Sequence, residues 1–364
     1  MSDTVVFLGA GATKACGGPL TSEILPMIYA QAKSAPGGPN RLARFLEEQF
    51  HVLSRMPNEA FPGLPLLLSL LDTAIDRRQA FCNGLDAESA SELRQMLEFG
   101  IYDLLEGKLV GAPTNNHWTL FDCLYPQFGP DPCIISTNYD LIADTALMFL
   151  SEARPAEQPG QDGRLPDYCC HIRAAFYNSE SAKFGQLLKL HGSLNWLYCS
   201  TCSRLEMGAS EAKLYLKVLG RMVGPDLQKA FTTDGDPCAT CGTRLRPLLV
   251  APSHLKYYRN AHLSQVWYEA ERVLREAKRV FFIGYSLPED DVEVIYLLKR
   301  SLSGPTAPQI TVVEFDAQNP QVAVGDHSVG RRYRTLFGDA IDWHACGLDA
   351  WLLLIAQGPA NCAG

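Results

Sequence analysis

The chain has 364 residues, 47% of them hydrophobic and 20% charged, which is typical of a globular protein with two or three packed units. Its formal net charge of -8 argues against broad binding to nucleic acids or anionic membranes, so we expect no direct nucleic-acid partner. No apolar run reaches the roughly 18 residues of a transmembrane helix, and no basic leader opens the sequence. The sequence therefore predicts a cytoplasmic protein without a membrane segment.

The first residues predict a strand, a glycine turn and a helix. Residues 4–9 are continuously apolar or β-branched, residues 10–18 are small and glycine-rich, and a helix is expected to begin shortly after Pro19. A turn of this kind lets the backbone approach a pyrophosphate. Tight packing between a strand and a helix explains the glycines equally well.

The glycine turn departs from the usual dinucleotide fingerprint. Gly9-x-Gly11 is present, but Lys14 stands where the third glycine belongs. This departure argues against an ordinary dehydrogenase.

Further along the chain, helical and strand patterns alternate. From Arg41 to about Val110 the apolar residues recur at helical spacing, which predicts a helical subdomain that serves as an assembly surface, as an active-site lid or simply as packed core. Alternating strands and helices then indicate a parallel sheet covered on both faces. The predicted strands are residues 133–140, 184–190, 279–286 and 309–316; residues 248–252 are predicted to resume the same sheet, and residues 152–167 to form a loop.

Polar residues follow several of these strands, at the sheet edge where α/β proteins bind ligands. Asn138 and Asp140 end the second strand, and His191 follows the third. Each has a structural alternative, because Asn and Asp often form turns and a lone His is most often a hydrogen-bonded core residue. A neutral imidazole at this edge can nevertheless accept a proton at neutral pH. Gly284 and Ser286 bind a ligand or simply cap their strand.

Two Cys pairs predict a structural zinc site. Cys199-x-x-Cys202 and Cys238-x-x-Cys241 supply four thiolates, with 35 residues between the pairs. Four protein ligands close the coordination sphere, so we expect this Zn²⁺ to be structural. Chance pairing among twelve Cys is the alternative.

The order of these motifs resembles the sirtuin family over residues 5–340, the helical segment excepted. Gly-Ala-Gly-x-Thr is followed by Thr-Asn-x-Asp, His-Gly, the paired Cys and Gly-x-Ser. The resemblance implies NAD⁺ as the small-molecule substrate and makes His191 the base, with Asn138 and Asp140 as catalytic residues beside the nicotinamide. It also implies a set of residues that contact NAD⁺: Gly9, Ala10, Gly11, Thr13, Pro19, Thr137, Gly284, Ser286, Glu314 and Asp339.

The departures from the family favour hydrolysis over deacylation. Deacylating sirtuins carry Asp-Phe-Arg after the first Pro, whereas Pro19 here leads into Leu-Thr-Ser. Where they clamp acetyl-lysine by strand addition, this chain has residues 250–254, and Pro252 has no backbone N–H to donate. Thr-Asn-Tyr-Asp, Lys-Leu-His-Gly-Ser-Leu-Asn-Trp and Gly-Tyr-Ser-Leu-Pro-Glu-Asp-Asp resemble the sirtuin-like NAD⁺ hydrolases of bacterial antiphage defence.

We therefore predict an NAD⁺ glycohydrolase. A protein-lysine deacylase and an NAD⁺- or ADP-ribose-sensing regulatory subunit are the alternatives. The resemblance also implies a homo-oligomer and a separate activator, such as a HerA-type ring ATPase.

The predicted fold class is α/β, with a Rossmann-like doubly wound parallel sheet of sirtuin type, a helical subdomain and a small zinc-knuckle module. Residues 1–35, 111–198 and 243–345 are predicted to form the NAD⁺-binding domain. The helical subdomain is expected at 36–110, the zinc module at 199–242, and a C-terminal helix or tail at 346–364.

Overall fold

The computed structural model describes residues 3–35, 38, 40–109, 115–128, 132–154, 165–173, 183–209, 232–233, 235–250, 260–304 and 307–356. The chain forms two compact units. One comprises Met1–Gly17, Leu109–Leu249 and Arg259–Gly364, and the other comprises Gly18–Lys108 and Val250–Tyr258. We call them the sheet unit and the helical unit.

The described strands are β1 Thr4–Leu8, β2 Cys133–Ser136, β3 Leu165–Asp167, β4 Ile172–Arg173, β5 Lys183–Lys189, β6 Gly192–Tyr198, β7 Leu205–Ala209, β8 Thr232–Thr233, β9 Arg246–Leu249, β10 Arg279–Ile283, β11 Gln309–Val313 and β12 Ile341–His344. The described α-helices are α1 Ala10–Lys14, α2 Thr21–Lys33, α3 Arg41–Phe50, α4 Leu64–Arg77, α5 Ala87–Leu109, α6 Asn116–Phe128, α7 Ile142–Glu152, α8 Ala261–Glu276, α9 Val292–Leu302, α10 Ser328–Phe337 and α11 Gly347–Ala356.

Seven parallel strands form the main sheet, in the order β12-β11-β10-β1-β2-β5-β3. β1 is fully buried: four of its five residues are apolar, the buried Thr4 is the fifth, and a strand pairs with it on each side. The strand order reverses at β1, which pairs with β2 on one side and β10 on the other. This reversal is the topological switch point of a doubly wound sheet, and the predicted α/β fold class is confirmed.

A second sheet was not predicted from the sequence. It has the order β4-β7-β6-β9, and β6 pairs antiparallel with both β7 and β9. The prediction that residues 248–252 resume the parallel sheet was therefore wrong, because the register pairs Leu248 with Ser193 and Leu249 with Gly192. Residues 251 and 252 lie outside the described residues. β3 also lies within the predicted loop 152–167, and it forms one edge of the main sheet.

The helical unit has its own apolar core. Asn40 caps α3 by accepting a hydrogen bond from the Ala43 N–H, and Glu23 accepts one from the Leu20 N–H at the start of α2. α2 and α5 pack closely at Gly100, where a Cβ atom would lie 2.9 Å from Ile28. None of the described helices is long and apolar enough to cross a membrane.

Candidate functional site

The carboxyl ends of β10, β1, β2 and β5 lie side by side in the sheet unit. Gly9 follows β1, Thr137 follows β2, and Gly284 follows β10. His191 lies two residues beyond the end of β5, which pairs with β2. Parallel strands all end at one edge, so the topology brings the predicted residues of four separate segments to the switch point of the sheet.

The glycines of the first turn are required by close packing of backbone on backbone. The Gly9 N–H donates to Ile283 O at 3.0 Å, and the Gly11 N–H donates to Gly284 O at 2.9 Å. A Cβ atom on Gly9 would lie 2.5 Å from Gly284 O, and one on Gly284 would lie 2.1 Å from the Ala12 nitrogen. Gly284 also has a φ of +60°, which favours glycine. Packing thus accounts for these three glycines, and contact with a phosphate stays a prediction.

A chain of hydrogen bonds joins Asn138 and Asp140 to the glycine turn. Asn138 Nδ2 donates to Gly9 O and to Thr13 Oγ1, both at 2.9 Å. The Thr13 hydroxyl donates in turn to Asp140 Oδ2 at 2.8 Å, and Asp140 Oδ1 accepts from the Ile142 N–H. The structure therefore brings three predicted site side chains together. It also fixes the plane of the Asn138 amide and both oxygens of Asp140.

The His191 imidazole is buried beside this chain. Its Nδ1 lies 3.2 Å from Thr137 O. A carbonyl oxygen only accepts hydrogen bonds, so Nδ1 carries the hydrogen, and in the neutral ring Nε2 holds the lone pair. The Trp267 indole N–H donates to Leu190 O at 2.9 Å and holds the turn that presents the imidazole. With Nδ1 donating to Thr137 O, Nε2 is the ring nitrogen left to exchange a proton with a substrate.

Lys189, for which the sequence motifs predict no role, holds the backbone at Tyr139 and Asp140. Its side chain is fully buried, and Nζ donates to Asp144 Oδ2 at 3.0 Å and to the main-chain oxygens of Tyr139 and Asp140. The Tyr168 hydroxyl also donates to Asp144. A lysine at the end of a buried strand therefore fixes the backbone just after Asn138.

The loop after β10 is held mainly through its backbone. Arg332 donates to Ser286 O through Nε at 2.9 Å and Nη2 at 2.7 Å, and the Tyr333 hydroxyl donates to Tyr285 O at 2.7 Å. Asp339 is elsewhere: its side chain is 80% exposed and pairs with Arg334. The described contacts do not join Asp339 to the other predicted residues of the sheet unit, while Pro19 belongs to the helical unit.

His117 and Cys16 form a buried, uncharged pair near Asp140. His117 Nδ1 lies 3.7 Å from Cys16 Sγ, and both side chains are buried. Burial lowers the pKa of His117 to about 4 and raises the pKa of the Cys16 thiol. Both groups are uncharged at neutral pH, so this pair contributes packing and not proton transfer.

Glu314, directly after β11, is a buried carboxyl group with an altered pKa. Burial raises its pKa to about 7, against the opposing effects of a backbone hydrogen bond and the nearby Arg332. Within the described residues, Oε1 is buried and has no hydrogen-bond partner. Between these two pKa values the folded protein therefore holds a proton that the unfolded chain, with an ordinary pKa of 4.5, has released.

This proton makes stability depend on pH. Between pH 4.5 and about 7 the folded state binds more protons than the unfolded state, so the free energy of unfolding falls as pH rises. We expect Glu314→Gln to be about 1–3 kcal/mol more stable than wild type at pH 8 and equally stable at pH 4. Urea unfolding at both pH values measures the difference. The exposed Glu289→Gln is the control, and equal stability of Glu314→Gln and wild type at pH 8 would contradict the prediction.

The four predicted zinc ligands do meet. Their sulfur atoms lie within 4.8 Å of one another, with 3.3 Å between Cys199 and Cys241 and 3.6 Å between Cys202 and Cys238. A tetrahedral ion with Zn–S bonds of about 2.3 Å needs sulfurs roughly 3.8 Å apart, so these residues fit Zn²⁺.

The two Cys pairs have the same local backbone. Ser203 and Gly242, each directly after the second Cys of its pair, have φ values of +56° and +72°. Each donates its N–H to the carbonyl of the first Cys, at 2.9 Å in both cases. Repetition of one turn around four sulfurs indicates a site built for an ion and not a chance cluster.

Comparison with known proteins gives similarity to sirtuins. Neither a family model nor a curated protein matches the chain. A structure concerned with sirtuin substrate affinity is 14% identical, with a TM-score of 0.44, and the match covers 98% of this chain and 94% of that one. A structure concerned with the mechanism and regulation of Sir2 enzymes is 13% identical, with a TM-score of 0.43 and coverage of 97% and 90%. A complex of a Sir2 homologue with NAD is 14% identical, with a TM-score of 0.43 and coverage of 97% and 89%.

At sequence identities of 13–14%, the role of a residue in those structures cannot be assigned to a residue of this chain. The fold class rests on the strand order and pairing described above. The matching structures are of sirtuins, the family that the sequence motifs resemble.

Proposed function

We propose that this protein hydrolyses the N-glycosidic bond of NAD⁺, giving nicotinamide and ADP-ribose. One observation carries the proposal: the imidazole of His191 is held through Nδ1 beside the Asn138 loop, with Nε2 as its basic nitrogen, at the switch point of a doubly wound sheet. Nucleotides bind at such switch points, so the fold supports a nucleotide substrate and the imidazole supports a proton transfer there.

The chemistry assigns one role to each group. The bond between C1′ and the nicotinamide nitrogen breaks, the electron pair leaves with nicotinamide, and positive charge develops on the ribose. Water attacks C1′, and its proton goes to Nε2 of His191, directly or through a ribose hydroxyl. Asn138 makes both of its hydrogen bonds through Nδ2, and we assign Oδ1 to orient the water. Asp140 holds this loop and supports the nicotinamide amide.

The hydrolase and its alternatives differ in what they require. A hydrolase releases nicotinamide from NAD⁺ alone, whereas a deacylase releases it only with an acylated peptide. A sensing subunit binds NAD⁺ or ADP-ribose stoichiometrically without turnover. Hydrolysis is favoured by Pro252, which lacks a backbone N–H in the segment where a deacylase would pair with its peptide.

The decisive assay measures nicotinamide release with and without acylated peptide. We expect peptide-independent release by the wild type. His191→Ala and Asn138→Ala should each lower the rate about 10²- to 10⁴-fold while the circular dichroism spectrum stays unchanged. The exposed His171→Ala is the matched control and should retain full activity. Full turnover by either site variant, or release only with peptide, would refute the assignment.

The motifs that resemble defence hydrolases extend the proposal to an antiphage role. In that role a separate activator, such as a HerA-type ring ATPase, raises the basal rate at which a homo-oligomer of this chain hydrolyses NAD⁺ until NAD⁺ is depleted. The native mass of the protein, measured alone and with NAD⁺, tests the oligomer. A monomer under both conditions would contradict it.

A further inference from the structure

The carboxyl group of Asp291 faces the basic nitrogen of His191. Asp291 Oδ1 lies 3.5 Å from His191 Nε2, and both side chains are more than nine-tenths buried. Asp291 Oδ2 accepts a hydrogen bond from the Tyr285 hydroxyl at 2.8 Å. The backbone oxygen of Tyr285 in turn accepts the Tyr333 hydroxyl at 2.7 Å. The carboxylate is therefore fixed in place, and the steps described above do not use it.

Asp291 does not play the helix-capping role that is usual for an Asp at its position. It is the N-cap residue of α9, and Asp is among the best residues there because its oxygen can accept the unpaired N–H groups of the first turn. Its side chain makes no such capping bond in this helix. The side chain turns instead toward Tyr285 and His191, so helix capping does not explain why this position is Asp.

The loop that carries Asp291 is held in a strained conformation. Leu287 has a φ of +47°, a left-handed conformation that costs energy in any residue except glycine. It also precedes Pro288, a position where the extended conformation is preferred. Strain of this kind is kept where the surrounding structure needs one particular geometry. Leu287 is buried, so its packing holds the loop and with it the position of Asp291.

We propose that Asp291 is a positioning residue for His191 and stabilises the imidazolium that forms during the reaction; this inference rests on the proposed function. In the proton transfer, an O–H bond of water or of a ribose hydroxyl breaks, its proton goes to Nε2, and the electron pair stays on the oxygen. The imidazolium so formed lies beside the Asp291 carboxylate, and attraction between opposite charges is strong in a buried site.

This arrangement differs from that of a Ser-His-Asp triad. In the triad the carboxylate holds Nδ1, while Nε2 takes the proton. Here the backbone oxygen of Thr137 orients Nδ1, and the carboxylate faces Nε2. The orienting contact and the charge-stabilising contact are thus made by different groups and can be tested separately.

Kinetics with a matched pair of variants tests the proposal. Asp291→Asn keeps the shape and removes the charge, and we expect kcat to fall about 10²-fold while KM for NAD⁺ changes less than about threefold. Asp290→Asn makes the same charge change one residue away and should keep the wild-type kcat. Tyr285→Phe removes the anchor of the carboxylate, and an intermediate fall in kcat is expected. If Asp291→Asn does not fold, Tyr285→Phe decides: an unchanged kcat would overturn the proposal.

A measurement without substrate separates this inference from the proposed function. The ¹⁵N signal of His191 Nε2, assigned with His191→Gln in histidine-labelled protein, reports the group that faces this nitrogen. We expect Asp291→Asn to move the signal and Asp290→Asn to leave it in place. Identical signals in all proteins would overturn the pairing. A moved signal in a protein that never cleaves NAD⁺ would support the pairing and reject the hydrolase.

Discussion

Replacing Cys238 by Ser is expected to abolish zinc binding and to unfold the two Cys-x-x-Cys turns. Zinc requires deprotonated ligands, and a serine hydroxyl stays protonated at neutral pH, so the tetrahedral set loses one member. Such a site contributes much of its local folding energy through the metal, about 10–16 kcal/mol in isolated zinc-finger peptides. Among the described residues, a small buried cluster that includes two of the four Cys ligands packs at these turns: Leu197, Cys199, Cys238 and Leu245.

Metal analysis and thermal unfolding measure this effect. The wild type should contain one zinc per chain, and Cys238→Ser should contain none and melt at a lower temperature. The half-buried Cys82 lies outside the cluster, so Cys82→Ser should keep both zinc and melting temperature. A wild-type protein purified without zinc, with the same melting temperature before and after zinc addition, would show that the sulfurs are not a metal site.

Lys189→Met is expected to lower the free energy of unfolding by about 3–5 kcal/mol. Methionine fills similar space, but Asp144 is left with a buried charge that only its neutral partners can offset. Removal of one partner of a buried pair costs far more than the pair itself contributes, because the remaining charge stays desolvated. The Tyr139–Asp140 backbone also loses its donor, so we expect the Asn138 loop to loosen.

A natural control for this substitution lies on the same strand. Lys183 begins β5 and pairs with Asp167 at the same 3.0 Å, but both of those side chains are about a third exposed. Lys183→Met should therefore cost no more than about 1 kcal/mol. Adding Asp144→Asn to Lys189→Met should recover much of the loss. Equal urea midpoints for the two lysine variants would contradict this account.

The parallel sheet could be predicted because its central strands are continuously apolar and end in glycine or polar residues. The antiparallel sheet could not. Its strand β6 is buried at all but its last position, so the alternation that marks an antiparallel strand is missing. β12 belongs to the parallel sheet but lacks the continuous apolar run by which the other parallel strands were predicted. It is a short edge strand in which Asp342 and His344 alternate with apolar residues.

The candidate site was predictable where a motif fixed the residue type. The meeting of Thr13, Asn138 and Asp140 follows from motifs at the ends of neighbouring strands. Lys189 and Asp291 gave no such signal, since a lysine is normally exposed and an Asp before a helix is normally its cap. Only the fold shows that both are buried against the loop and the imidazole, because their partners lie far away in sequence.

The contact between the glycine turn and Gly284 bears on how the chain folds during synthesis. β1 pairs with β10, and Arg279 binds Thr4 across 275 residues of sequence. At the usual 5–20 residues per second, the ribosome needs roughly 14 to 55 s to make the residues between them. During that time one edge of a strand with four apolar residues out of five lacks its partner. β1 is therefore made long before β10 is available to pair with it, and until then its open edge offers unpaired backbone groups to other chains.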